Sequence, residues 1–349
     1  MNRGELPTVG AIRGWVPRWW RGEGGGVGTA LSAALWPAEQ AYRATMAVRA
    51  LAYDAVLPVG RAPSPVISVG NIAVGGAGKT PVAAWLAARL AARGLRPAIV
   101  LRGYGTDEIL VHREINPEIP VFAAVKRIDG ALEAAAAGCN VVVLDDGFQH
   151  LRLHRDLDIV LVAAESWSPR PRLLPRGPWR EGIGGLERAG VLLVTRKTAS
   201  AEEAARVVQS LGQLAPEAIC VSARIYPDRL VNLQEAGESR SLASLQGETV
   251  LAVASLADPR PFKRHLEDAG ATVELVEFPD HHNFSASEAA DLERRAAGRT
   301  LIMTRKEAVK LRPLLSVGCE AMVLQQDVEI ETGRTALLRA VRTAVARLA

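Results

Sequence analysis

One stretch constrains this chain more than any other: Ser68-Val69-Gly70-Asn71-Ile72-Ala73-Val74-Gly75-Gly76-Ala77-Gly78-Lys79-Thr80-Pro81. It follows a short β-rich run at 66–69 and opens a helical pattern at 79–93 that stops at Gly94. Strand, glycine loop and helix in that order let backbone N–H groups at a helix N-terminus curl around phosphate. Lys79 adds a point charge for the β and γ oxygens, and the Thr80 hydroxyl can hold Mg2+. The strict GxxxxGK[ST] spacing breaks only at its first position, where Ala73 stands for glycine. Ala73, Val74, Gly75, Gly76, Ala77, Gly78, Lys79 and Thr80 are therefore expected to cradle the phosphates of a nucleotide.

Such a loop needs a sheet behind it, and the sequence supplies one. Apolar runs at 98–101, 121–123, 141–144, 159–162 and 191–194 alternate with turns or with helical stretches such as 129–137 and 201–211. Buried strands alternating with helices argue a parallel, doubly wound sheet. Between 228 and 247 the chain turns polar and loses its period. Beyond it, strands at 250–254, 272–277, 301–303 and 321–325 and helices near 261–269, 285–297 and from 335 read as a second, smaller α/β unit. A length of 349 residues suits two packed units, and 48% hydrophobic with 23% charged residues excludes a disordered chain and a disulfide-stapled scaffold.

Further chemistry clusters at strand ends. The run at 141–144 leads into Asp145 and Asp146, and an acid at the carboxyl end of a buried parallel strand faces the ligand crevice. Asp145 is expected on the Mg2+ side of the site, directly or through water; an acidic turn is the other reading. His150 and His154, four apart, would share a metal on a helix or lie at the surface. After 272–277 comes Phe278-Pro279-Asp280-His281-His282-Asn283-Phe284, which suits a general-base relay, a zinc site or a satisfied loop, since magnesium prefers oxygen.

The remaining composition bounds partners more than chemistry. Cys139, Cys220 and Cys319 form no CxxC pair and read as reduced, buried thiols. The net charge of +4 allows an anionic partner without demanding nucleic acid, and none is expected. Near the N-terminus, Arg3, Arg13, Arg18 and Arg21 interleave with Trp15, Trp19 and Trp20 ahead of an uncharged stretch at 24–38. That pattern suits the headgroup level of an anionic leaflet, or a helix packed on the body through its tryptophans. The stretch contains glycines and Pro37 and falls short of the roughly 20 apolar residues a spanning helix needs.

Six motifs then occur in one order: the phosphate loop with Gly70-Asn71, Arg102-Gly103-Tyr104-Gly105, Asp145-Asp146-Gly147-Phe148-Gln149-His150, Leu173-Leu174-Pro175-Arg176-Gly177-Pro178-Trp179-Arg180-Glu181, Phe278 to His282, and Thr304-Arg305-Lys306-Glu307-Ala308-Val309-Lys310. From about Leu31 onward the chain resembles the tetraacyldisaccharide 4'-kinase family, the lipid A 4'-kinases. The resemblance implies transfer of the γ-phosphate of ATP, with Mg2+, to the 4'-hydroxyl of tetraacyldisaccharide 1-phosphate, giving lipid IVA. It also implies peripheral attachment at the cytoplasmic face of the inner membrane of a Gram-negative-type bacterium. The implied fold is a P-loop doubly wound parallel sheet domain with a second, smaller Rossmann-like α/β domain. The divisions drawn are a membrane-associating segment at 1–60, a nucleotide-binding domain at 61–228, a hinge at 229–247 and a smaller domain at 248–349, its last helix free to pack back on the first. The oligomeric state is left open.

Carried onto this sequence, the resemblance gives Lys79 and Thr80 the phosphate-loop roles and Asp145 the metal role. Asp107, downstream of RGYG, becomes the catalytic base with His281 as its partner, chosen over His282. Arg102 and Arg180 become candidate phosphate contacts, and Asp146, Gln149, His150 and Glu181 further site candidates. Four departures stand out. Leu101 replaces a serine before RGYG, only Thr106 separates Gly105 from Asp107, Ile109 replaces the proline of GDEP, and TEKDAVK is written with Arg305 and Glu307. The alternatives are a kinase of a non-lipid hydroxyl and a nucleotide-dependent switch, although no NKxD run is present to read guanine.

Overall fold

The computed structural model describes residues 9–103, 106–169, 171–235 and 237–346, and Tyr104 and Gly105 of the RGYG motif lie outside them, as does Arg3. Three helices come first: α1 (Val9–Trp20), α2 (Gly25–Ala34) and α3 (Trp36–Ala55). The chain then runs β1 (Val66–Asn71), α4 (Lys79–Ala91), β2 (Pro97–Leu101), α5 (Thr106–Ile115), β3 (Val121–Ala123), α6 (Arg127–Ala136), β4 (Val141–Asp145), β5 (Leu157–Ala163), β6 (Val191–Arg196), α7 (Ala201–Leu214) and β7 (Ile219–Asn232). The C-terminal half adds β8 (Ser239–Ser241), β9 (Thr249–Ala254), α8 (Arg260–Asp268), β10 (Thr272–Glu277), α9 (Ala286–Ala296), β11 (Leu301–Thr304), α10 (Arg305–Leu311), β12 (Ala321–Thr332) and α11 (Arg334–Val345).

Among the described residues the strands form one sheet in the order β10-β9-β11-β12-β7-β6-β5-β1-β4-β2-β3, with β8 beside β7. Strands β1 to β7 are parallel among themselves. Strands β9 to β12 are likewise parallel among themselves. The two sets meet where β7 runs antiparallel to β12, from Asn232 beside Met322 to Ser222 beside Thr332. The hinge drawn at 229–247 is therefore corrected at its start: β7 continues without a break through 228 to Asn232, and β8 pairs with it at Arg229 to Val231. Pro227 and Asp228, poor strand residues, hide this continuity in the sequence. The β7–β12 register shifts between Gln325 and Gln326, opposite that segment, so an irregularity absorbs the proline.

Strand alternation sorts the core onto both faces. Ile67, Val69, Val143 and Ile159 point to the face covered by α4 and by Leu337 and Val341 of α11. On the opposite face, Val142 and Leu144 meet Ala131 and Ala134 of α6, and Val160 and Leu192 meet Val207 and Leu211 of α7. Helix α11 thus crosses from the C-terminal end of the chain onto the N-terminal half. In the other half, Leu251 and Met303 pack against α9 and α10, and Ala252 and Ile302 against α8. Helices α5 and α10, read in the sequence only as motifs, pack on each other across the two halves.

Candidate active site

The glycine loop joins the carboxyl end of β1 to the N-terminus of α4, and its local geometry explains its composition. Gly75 and Gly78 adopt left-handed backbone at φ 126° and 87°, where a side chain would be strained. Ala73 has no such requirement. It keeps negative φ and bridges to Trp179, while Val74 N–H donates to the Pro178 carbonyl, so alanine fits where the strict motif has glycine. Asn71 is buried and stitches the loop, donating to the carbonyls of Ala73 and Gly75 and accepting from Lys79 Nζ at 3.3 Å. From the end of β6, Thr195 Oγ1 donates to the Ala77 carbonyl at 2.9 Å and Lys197 Nζ to that of Gly76 at 2.7 Å. The loop lines a cleft of about 350 Å³ shared by both halves, within the range of ligand pockets.

The two acids after β4 are held differently. Asp145 is 4% exposed; its Oδ2 accepts from Thr80 Oγ1 at 3.0 Å and meets His112 Nε2 at 2.8 Å. Burial would raise its carboxyl, but the His112 hydrogen bond and charge, with Lys79 and Thr80, hold it below the usual carboxylate range. A hydroxyl and an ionised carboxylate facing each other beside a phosphate loop are the hard oxygen donors Mg2+ takes, so these residues fit that ion. Asp146 sits at φ 57°, and its left-handed turn aims the carboxylate toward Lys79 Nζ at 3.6 Å and Arg180 Nη1 at 3.3 Å. Arg180 Nη1 also reaches Gln149 Oε1 at 3.2 Å, and Gln149 Nε2 donates to the Asn71 carbonyl at 2.8 Å.

The third constellation joins the halves. Asp107, in the first turn of α5 and 4% exposed, lies 3.0 Å from His281 Nδ1 and 3.5 Å from Lys310 Nζ, both at its Oδ2. Burial alone would raise its carboxyl, yet the His281 hydrogen bond with the charges of Lys310, His281 and Lys306 holds it low. His281 takes left-handed backbone at φ 59°, a conformation uncommon outside glycine. The neighbouring His282 faces away, stacking on Phe278 and meeting Glu288 Oε1 at 3.0 Å. Glu108 lines the cleft, and burial together with the Asp145 charge pushes its carboxyl up.

Other sequence candidates fall elsewhere. His150 and His154 lie in irregular backbone, not a helix, so their spacing does not bring them onto one helical face. Burial and then the nearby Arg127, Arg155, Arg152 and Arg49 charges depress His150 to about 4, which leaves it neutral in the physiological range. Glu181 is buried in a 2.6 Å pair with Arg188. Arg102 follows β2 and is exposed. Trp19, expected at a membrane or against the body, is buried and donates to the Gly28 carbonyl and Ser32 Oγ at 2.8 and 2.9 Å. Trp20 Nε1 reaches the Pro175 carbonyl at 3.1 Å, so α2 holds the first ring and the body the second. Sequence reasoning missed His112, Asn71, Lys197 and Lys310; of these, only Asn71 and Lys310 stood inside quoted motifs.

Comparison with known proteins follows the same outline. The family model described as tetraacyldisaccharide-1-P 4'-kinase matches residues 31–114 and 105–345. A tetraacyldisaccharide 4'-kinase of Anaeromyxobacter dehalogenans (strain 2CP-C) is 38% identical over 91% of this chain and 92% of its own. One of Sinorhizobium fredii is 36% identical over 85% and 86%. The crystal structure of LpxK from Aquifex aeolicus in complex with ATP is similar at a TM-score of 0.70 and 26% identity, covering 90% of this chain and 99% of that one. With a phosphate loop, a metal-suited hydroxyl–carboxylate pair and an Asp–His pair in one cleft, and with both family and relatives matching nearly end to end, this chain belongs to the tetraacyldisaccharide-1-P 4'-kinase family.

Proposed function

We propose that the chain transfers the γ-phosphoryl group of ATP to the 4'-hydroxyl of tetraacyldisaccharide 1-phosphate, with Asp107 as base, from the cytoplasmic face of the inner membrane. One observation carries the assignment of the base: His281 of the C-terminal half, which lines the same cleft as the phosphate loop, meets Asp107 of the N-terminal half at 3.0 Å. A sugar hydroxyl is a poor nucleophile at neutral pH. Asp107 takes its proton as the oxygen attacks the γ-phosphorus, the bond from that phosphorus to the ADP oxygen breaks, and the proton later leaves to solvent. His281 donates from Nδ1 and orients the carboxylate. Such a positioned base contributes roughly 10²–10⁴-fold. Lys79 and Arg180 supply positive charge for the phosphoryl oxygens. Thr80 and Asp145 would hold Mg2+, which neutralises charge on the β and γ phosphates when bound.

Membrane attachment is argued from the first three helices. None of the described helices is long and apolar enough to cross a membrane. Helix α3 docks through Glu39, which accepts from Leu173 N–H at 2.8 Å and pairs with Arg176 at 2.6 Å, and through Tyr42, which donates to the Arg180 carbonyl at 3.0 Å. Its other side leaves Val48 and Leu51 65% and 67% exposed, with Trp36 at 55%. An apolar face attached to the loop carrying Arg180 supports this reading, since on a lipid surface it would hold an acylated substrate beside the cleft. The test is Asp107→Ala in detergent micelles: turnover falls at least about tenfold while ATP still binds. Unchanged turnover would transfer the base role to Asp146.

A further inference from the structure

We propose that Lys310 is a positioning residue for this reaction: reaching from α10 in the C-terminal half, it orients the Asp107 carboxylate and compensates its charge when the two halves meet. The inference rests on Asp107 as the base. Lys310 Nζ and His281 Nδ1 both reach Asp107 Oδ2, at 3.5 and 3.0 Å. The pair is enclosed, with the side chains of Lys310 and Asp107 only 10% and 5% exposed, whereas His281 is 48% exposed. Lys310 and Asp107 both lie behind the cleft lining that His281 and Glu108 reach, so Lys310 acts through the Asp107 carboxylate.

The surrounding structure fixes the lysine. Its ammonium lies 5.9 Å from the centre of the Phe284 ring, and Phe284 meets Phe278 and His282 edge-on at 4.9 and 5.0 Å. The aromatic cluster of the loop that carries His281 thus lies against Lys310. A second pair, Arg312 with Glu114, fastens α10 to α5 at the other end. The charged groups around Asp107 are Glu108 on α5, Asp280 and His281 on the loop, and Lys306 and Lys310 on α10. Of the two groups bonded to it, an imidazole can donate without carrying charge, whereas an ammonium brings a full positive charge. Breaking an enclosed ion pair leaves the remaining charge uncompensated. Lys310 therefore helps the His281 hydrogen bond keep Asp107 ionised, and His281 also aims it.

The experiment is the pH profile of kcat for wild type, Lys310→Met, Lys310→Gln and Lys310→Arg with Mg-ATP and the lipid in micelles, alongside thermal melting. Without the ammonium, burial drives the carboxyl up, so Lys310→Met moves the acid limb to higher pH. It loses about tenfold in kcat at the acid end, recovers as pH rises, and leaves KM for ATP within about twofold. Lys310→Arg restores the wild-type limb. If Lys310→Met melts before assay, Lys310→Gln carries the same comparison. A loss equal at every pH, or an acid limb that does not move, overturns the role while leaving Asp107 in place. A wild-type rate in Asp107→Ala instead removes the base and the Lys310 role with it.

Discussion

Asp145 and Asp146 are adjacent in sequence yet opposite in environment, and that difference divides their work. Asp145 is buried between Thr80 and His112, while Asp146 turns outward through left-handed backbone to meet Lys79 and Arg180. His112 therefore orients a carboxylate suited to Mg2+, the kind of support whose loss costs 10–100-fold in metal affinity. His112→Phe is expected to raise the Mg2+ concentration for half-maximal activity about tenfold, read from a Mg2+ titration. The adjacent histidines make a similar contrast. His281→Ala should lower kcat and leave the melting temperature nearly unchanged. His282→Ala should retain turnover and cost about 1 kcal/mol, measured by chemical denaturation, through its lost Glu288 bond and Phe278 stacking. The spacing of the Asp-His-His motif placed both histidines on one loop but could not say which faced the base, because a left-handed residue at His281 reverses the direction of the chain there.

At the scale of elements, the glycines of the phosphate loop and β1 limit what sequence can tolerate. A Cβ at Gly70 would stand 2.5 Å from Phe148 Cβ and 2.8 Å from its backbone nitrogen, so neither neighbour can yield by a side-chain rotation alone. Gly70→Ala is expected to destabilise the protein by about 1–3 kcal/mol, checked by urea unfolding. The exposed apolar face of α3 makes a separate prediction: Val48→Glu with Leu51→Glu should reduce sedimentation with anionic liposomes and leave ATP binding intact. Strands such as β4 and β5 were legible because each carries an uninterrupted run of valine, isoleucine or leucine, at 141–144 and 159–162, buried on both faces. Helices α5 and α10 were not, since each is short and has the other as its largest single neighbour, a contact that exists only after both halves are folded. The middle of β7 was lost to Pro227 and Asp228, which local propensity reads as a turn and the long pairing with β12 overrides.

For the whole molecule, the continuous sheet makes the cleft a product of two parallel sets joined at β7 and β12, with the phosphate loop on one side and the His281 side chain on the other. Folding and ionisation are coupled through the groups this arrangement buries. His150 is depressed from 6.5 to about 4, so its contribution is complete above 6.5 and is lost as pH falls from there toward 4. Asp107 and Asp145 are held low, so theirs is present above the ordinary carboxylate range and is lost as pH falls through their folded values. Thermal melting should accordingly decline below pH 6.5 and continue to decline in the acid range. The order of six motifs made the family legible from sequence, and with it the pairing of Asp107 with His281; the arrival of Lys310 at the same oxygen was not, because it lies far along the chain on a different element. The measurement that reaches the central claim most directly is mass spectrometry of tetraacyldisaccharide 1-phosphate after incubation with the protein and Mg-ATP. A product carrying one added phosphate on the non-reducing sugar is the predicted result, and unmodified lipid under conditions that consume ATP would contradict it.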